Sequence, residues 1–288
     1  MIIKQKAFMK DFTSFKIGGP ADIVAEPKDI KELVELIKFL RNQGIIFYIL
    51  GNGTNILVSD KGVRGCVVRI GKNLSKIRVN GTRIEAEAGA SLGEISQIAL
   101  KNGLQGFEEF SGIPGTIGGA VAMNAGAYGK EMKDVFSSAN AINEAGRVIK
   151  LSKDAMNFSY RHSAVGEGKF IVTQVVINLQ EGDKKNIQNN IERYRILRKD
   201  SQPIDYPSAG STFKKPEGKV ASKLIDEANL KGASIGGAQV STLHAGFIIN
   251  KGEATASDVY KLMKKVQDDI RIYYNVSLEP EIKLWGKF

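Results

Sequence analysis

Between Ser111 and Gly129 the chain carries six glycines among small and apolar residues, with no charged side chain. A solvated surface loop is not built that way. Glycine admits positive φ and lets the backbone approach whatever it faces. The stretch runs Ser111-Gly112-Ile113-Pro114-Gly115-Thr116-Ile117-Gly118-Gly119-Ala120 and continues to Asn124-Ala125-Gly126-Ala127-Tyr128-Gly129. It reads as backbone wrapped against a large flat ligand, the alternative being a glycine-rich turn packed on a helix. It lacks the Gly-Lys-Ser/Thr of a P-loop. A second segment, Gly51-Asn52-Gly53-Thr54-Asn55, follows the apolar run Ile45 to Leu50. A strand entering Gly-x-Gly suggests a dinucleotide fingerprint, but the sixth position is Ile56 and no helical pattern opens there, which argues against a Rossmann unit. Small residues with free N–H groups still suit a diphosphate, since donors reach its oxygens without a Cβ in the way; otherwise the segment is a tight turn in which Asn and Thr bond the backbone. Two such segments together favour a nucleotide cofactor.

The chain has 288 residues, 42% hydrophobic and 25% charged, enough to bury a sizeable core in two or three units. Met1 to Asp11 has no apolar h-region, and the longest apolar run is Ile45 to Leu50, so neither a signal peptide nor membrane insertion is expected. A lone Cys66 excludes an internal disulfide and fits a reducing, cytoplasmic setting. Two histidines, His162 and His244, with no Cys/His cluster predict no metal site. The net charge of +10 first suggests nucleic acid. Lys and Arg are interleaved with Asp and Glu, however, and the dense stretch Arg193 to Lys199 lies in a helical pattern. Polyanionic small ligands use the same excess, so small anions are preferred and no nucleic-acid partner is expected.

Periodicity gives an α+β reading. Asp29-Ile30-Lys31-Glu32 opens a helix with Leu33, Leu36, Ile37 and Leu40 on one face, stopped at Gly44. Ile45 to Leu50 is a buried-strand candidate, and Cys66 to Ile70, Ile77 to Val79 and Ile84 to Ala88 are further strands. A helix covers Leu92 to Lys101. Ser138 to Leu151 and Phe170 to Leu179 read as antiparallel strands around a turn at Glu144-Ala145-Gly146. Beyond a polar boundary at Gln180 to Lys185, a helix carries Ile187, Ile191, Tyr194 and Leu197 until Pro203. Another runs from about Val220 to Asn229. The last follows Thr255-Ala256-Ser257-Asp258, with Val259, Leu262, Val266, Ile270 and Tyr273 on one face.

Both glycine segments, together with Tyr160-Arg161, Pro207-Ser208-Ala209-Gly210-Ser211-Thr212-Phe213-Lys214 and Leu278-Glu279-Pro280-Glu281, closely resemble the UDP-N-acetylenolpyruvoylglucosamine reductases, in order and over nearly the whole chain. The resemblance implies an FAD-binding fold of the vanillyl-alcohol-oxidase (PCMH) type over residues 1–182, in two α+β subdomains of about 1–72 and 73–182, followed by a smaller α+β substrate domain over 183–288. It implies NADPH-dependent, FAD-mediated reduction of the enolpyruvyl double bond of a UDP-sugar in peptidoglycan precursor synthesis, with another flavin-dependent oxidase or dehydrogenase of the same fold as the alternative. Neither histidine lies in a flavin-attachment motif, so FAD is expected to be non-covalent. NADPH has no fingerprint here and enters by resemblance alone. A monomer is expected.

The same resemblance distributes the residues. The cofactor falls to Gly51, Asn52, Gly53, Thr54, Asn55, Gly112, Ile113, Gly115, Thr116, Gly118, Gly119, Ala120, Asn124 and Gly126. Ser211 becomes the proton donor, with Lys214 and Lys215 near it to tolerate the alkoxide; outside this resemblance, a Ser in such a loop is a turn residue. Arg161 and Glu281 become the pair at the substrate carboxylate, where the planar fork of Arg suits two oxygens and a Glu beside an anion is expected to have a raised pKa. Otherwise each is a surface ion-pair member. Tyr128, Lys199, Lys214, Lys215 and His244 fall at substrate contacts. No room exists between Ile225 and Asn250 for the tyrosine-bearing loop of longer members, so this is the shorter subtype, and what clamps the diphosphate is left open.

Overall fold

Asp29 opens the first helix, α1 (Ile30–Asn42), by accepting from the Glu32 N–H at 2.8 Å, and Gly44 closes it with φ +62°. Glu32 does not complete a reciprocal box; its carboxylate takes the Lys28 N–H and the N-terminal amine. The computed structural model describes residues 1–288. They form two units by packing, each discontinuous in sequence. The first comprises Met1–Lys4, Ile23–Asn52 and Gly65–Arg198; the second comprises Gln5–Asp22, Gly53–Arg64 and Lys199–Phe288.

In the first unit a five-stranded antiparallel sheet has the order Val148–Ser152, Phe136–Ile142, Ile171–Asn178, Arg83–Glu87, Ile77–Asn80. Its apolar face joins α1 and α2 (Leu92–Lys101) in one core that includes Leu33, Ile37, Ile84, Leu92, Ile95, Phe107, Phe110 and Val175. Phe47–Leu50 pairs in parallel with Cys66–Arg69. The expected buried strand here is shorter and drier on one side only: Ile45 and Ile46 are exposed and only Leu50 is fully covered. The strand is at the edge of its sheet, with Phe47, Tyr48 and Ile49 only partly covered. The glycine-rich stretch contains a helix that its composition conceals, α3 (Ile117–Ala122), capped by Thr116. The one-turn α4 (Met132–Val135) follows, and α5 (Lys184–Ser201) buries Ile187 and Ile191. Its face then continues through Tyr194 and Arg198, and Leu197 is exposed.

The second unit has the antiparallel order Ser208–Ser211, Phe247–Asn250, Ala238–Val240, Ser234–Ile235. It is packed with α6 (Ala221–Glu227) and α7 (Ala256–Tyr274) in a second core. α7 buries Val259, Leu262, Met263, Val266 and Ile270; Tyr273, expected on this face, is exposed, and Tyr274, four residues after Ile270, packs against the core in its place. The last strand, Lys283–Trp285, pairs in parallel with Ile56–Val58. The chain end thereby returns to an early segment, and Ser59 Oγ donates to the Lys287 carbonyl at 2.7 Å.

The start of α7 shows how an early residue serves a late element. Thr255 and Asp258 form a reciprocal capping box, and Asp60 takes the two remaining donors, Ala256 N–H at 2.8 Å and Ser257 N–H at 2.9 Å. Asp60→Ala strips both and is expected to cost about 1–2 kcal/mol, read as a lower urea midpoint; Asp60→Asn, which keeps one acceptor, is expected to fall between.

Candidate functional site

The two glycine segments meet. The side-chain amide of Asn52 donates to the Pro114 carbonyl at 2.9 Å. A Cβ on Gly51 would lie 2.6 Å from Thr116 Oγ1, and one on Gly118 would lie 2.8 Å from the Ala88 Cβ. At those two positions the protein's own packing demands glycine. Gly119 differs. It is exposed on α3, and a Cβ there would meet only the Thr116 hydroxyl at 3.4 Å, an ordinary contact. Alanine would favour the helix by roughly 0.5–1 kcal/mol, so the protein alone gives no reason for Gly119. A flat group lying against α3 gives one, and this bare surface fits a nucleotide cofactor.

The donors of that surface are limited. Ile117 N–H is spent on the Ala90 carbonyl, Gly118 N–H on that of Ala88, and Gly119 N–H on Thr116 Oγ1. The N–H groups of Asn52, Gly53, Thr54 and Asn55 have no protein acceptor, so they are free donors of the first segment. Thr116 and Ala120 are buried, Ile113 packs against the core, and the Gly115 carbonyl accepts from Leu92 N–H. Gly126 leaves no room for a Cβ, 2.3 Å from the Lys130 carbonyl.

Asn124, expected at the cofactor, is fully buried with its side chain wholly engaged in the protein. Its amide donates to the Ser159 carbonyl at 2.9 Å and to Glu131 at 3.1 Å, and its oxygen accepts from Lys133 N–H. What it braces is the turn that carries Arg161. Ser159 and His162 exchange backbone bonds of 3.1 Å on either side of that turn, and buried Ser163 donates to the Ala122 carbonyl. Arg161 sits in the left-handed region, φ +53°, with its guanidinium 5.1 Å from the Tyr160 ring. Tyr128, also left-handed, stacks on Tyr194 at 4.5 Å. Burial raises the pKa of its phenol. Arg193 lies over the Tyr194 ring and donates to its hydroxyl, which in turn donates to Glu109. Tyr194 and Glu109 were not evident from the sequence; the i and i+4 placement of Tyr194 and Arg198 on one helix was the available signal.

In the second unit, Ser211 and Glu281 are held by one residue between them. Thr212 is fully buried. Its carbonyl accepts from Glu281 N–H and its own N–H donates to Gly246, both at 2.8 Å, while its hydroxyl takes Ile248 N–H at 3.1 Å. Asn55 closes the arrangement, donating to the Glu281 carbonyl at 3.2 Å and accepting from Lys283 N–H. Ser211 itself is exposed, after a left-handed Gly210. Gly53, also left-handed, is pressed against the Phe12 carbonyl. Lys214 pairs with the exposed Glu279; Lys215 is exposed. Lys199 lines a cavity of about 250 Å³ with Gln202, Tyr206, Gln239, Ser241 and Lys251. The side-chain oxygen of Gln202 is buried without a partner. His244 accepts Gly246 N–H on Nδ1 and packs edge-on against Phe247, and burial lowers its pKa.

Residues 21–152 match an FAD binding domain, and residues 202–285 match the UDP-N-acetylenolpyruvoylglucosamine reductase C-terminal domain. The chain is 52% identical to the UDP-N-acetylenolpyruvoylglucosamine reductase of Caldanaerobacter subterraneus, covering 97% of this chain and 92% of the relative. It is 47% identical to that of Clostridium kluyveri over 97% and 91%. A crystal structure of the Thermus caldophilus enzyme superposes with a TM-score of 0.85 at 35% identity, covering 99% and 100%. Cholesterol oxidase from Brevibacterium sterolicum, at 17% identity and TM-score 0.50 over 62% of this chain and 38% of its own, shares the fold alone. No helix is long and apolar enough to cross a membrane.

Two outcomes follow from this geometry. Gly119→Ala is expected to leave the thermal midpoint of the flavin-free protein level or higher yet weaken FAD at least about tenfold in a fluorescence titration, while Gly118→Ala costs about 1–3 kcal/mol by overpacking. His244 acts through pH. Because its folded pKa is depressed, the unfolded chain takes the proton first, and the stability His244 contributes is full above about pH 6.5 and lost as pH falls below it. His244→Asn is expected to flatten the decline of the urea midpoint between about pH 7.5 and 5.5.

Proposed function

The chain belongs to the UDP-N-acetylenolpyruvoylglucosamine reductase family, an FAD- and NADPH-dependent oxidoreductase of peptidoglycan precursor synthesis, and we propose that Ser211, Arg161 and Glu281 carry its chemistry. Reduction of an enolpyruvyl ether requires hydride at the methylene carbon and a proton at the carbon beside the carboxylate, with charge gathering on that carboxylate. FAD, reduced by NADPH, supplies the hydride. The chain must supply the proton and the electrostatic clamp.

The observation that carries this assignment is the Thr212 junction. It fixes the backbone of Ser211, at the end of its strand, and that of Glu281 to one buried residue, so a proton donor and an acid share a fixed anchor. Ser211 gives its proton to the carbon that becomes the new stereocentre. Arg161 meets the substrate carboxylate with its planar fork, held at the tip of the braced turn at residues 159–162. Glu281 beside that carboxylate is protonated in the working state, since two anions side by side disfavour ionisation. Tyr128, Lys199, Lys214, Lys215 and His244 contact the nucleotide sugar, with Lys199 reaching it from the wall of its cavity. The bare surface of α3 holds FAD without a covalent link, and the enzyme works as a cytoplasmic monomer.

Ser211→Ala is expected to leave anaerobic reduction by NADPH near wild type and to slow reoxidation by the enolpyruvyl sugar about 10²–10⁴-fold, the span of a lost acid–base group. Glu281→Gln is expected to abolish one limb of the pH–rate profile. Unchanged reoxidation in both variants would remove them from the chemistry.

A further inference from the structure

Arg198 is a cation without a partner. Its aliphatic stem lies on Gly112, where a Cβ would come within 3.0 Å of Cδ, and its Nε and Nη1 would each be 3.9 Å from that Cβ. It makes no hydrogen bond or ion pair with any residue. Glu109, the acid on the same loop, turns one oxygen to the Tyr194 hydroxyl, and its other oxygen is buried without a partner. Arg193 and Arg195, on the same helix, are occupied with Tyr194 and Glu192. Tyr128, stacked on Tyr194, adds its phenol beside Arg198. Burial makes the guanidinium costly to keep charged; with no carboxylate of its own, it is incomplete until an anion arrives.

We propose that Arg198 is an anion clamp whose guanidinium, seated on Gly112 beside Tyr128, binds the diphosphate of a nucleotide ligand. The shape supports this ligand class. The planar fork offers paired donors to neighbouring phosphate oxygens; glycine at 112 is what lets the stem lie flat, since a side chain there would occupy its place. The identity of the nucleotide rests on the family reading, in which both FAD and the UDP-sugar carry a diphosphate.

The test compares wild type, Arg198→Gln and Arg198→Lys as FAD-loaded proteins of equal thermal midpoint. The first measurement is the rate of FAD release on dilution, followed by the recovery of its fluorescence. The second is the dissociation constant of UDP-N-acetylglucosamine, which lacks the reacting double bond, from the flavin difference spectrum, with sodium diphosphate as competitor. At least a tenfold weaker sugar nucleotide with unchanged FAD release in Arg198→Gln assigns the clamp to the substrate. At least tenfold faster FAD release with unchanged sugar binding assigns it to the cofactor. Arg198→Lys, which keeps the charge and loses the fork, is expected to recover part of either loss, and it alone decides if the Gln variant does not fold. Changes under twofold in both measurements overturn the clamp. If the wild type ignores UDP-N-acetylglucosamine and its reduced flavin ignores the enolpyruvyl sugar, the family reading of the substrate fails instead, and Arg198 is judged by FAD release.

Discussion

One hydroxyl joins the two glycine segments. Thr116 Oγ1 accepts the Gly119 N–H that starts α3 and fills the space where Gly51 would carry a side chain. The cap and the close approach are therefore a single constraint. Without the cap a six-residue helix rich in glycine has little reason to form, and with the cap in place Gly51 has no freedom to be anything else. The bare outer surface at Gly119 depends on both. The residues that look like a binding motif are thus in part a packing motif, and Gly119 is the position that packing does not explain.

The second unit repeats this economy with a second threonine. Thr212 spends its N–H, its carbonyl and its hydroxyl on three different strands or loops, leaving Ser211 exposed immediately before it. An exposed hydroxyl on a fixed backbone is what a proton donor needs: its direction is determined and its solvation is left for the ligand to replace. Asn55 plays a related part. Its side chain ties the glycine segment to the carbonyl of Glu281.

Much of the secondary structure was legible because it follows local rules. Leu92 to Lys101 emerged with those bounds, and the caps at Asp29 and Thr255 are where their sequences place them. Legibility failed where the deciding partner is far along the chain. The edge position of Phe47–Leu50, the closing of α7 by Asp60 and the return of Lys283–Trp285 to Ile56–Val58 depend on residues distant in sequence, and periodicity carries no such information. α3 was concealed for a different reason: its glycines oppose helix by propensity, and its cap and its bonds to Ala88 and Ala90 override them.

Strain was the least legible property. Asn124, Tyr128 and Arg161 all occupy the left-handed region, where a side chain costs roughly 1–2 kcal/mol, and only Asn is a residue type that advertises it. Such conformations persist when the surroundings over-determine them. Here the surroundings are the buried Asn124 network, which ties its own loop to the Ser159 carbonyl two residues before Arg161. A residue matched by its motif to the cofactor thus works on the neighbouring turn. The strained Arg161 and the bare α3 surface then belong to one braced region, tied through Asn124 and Ser163.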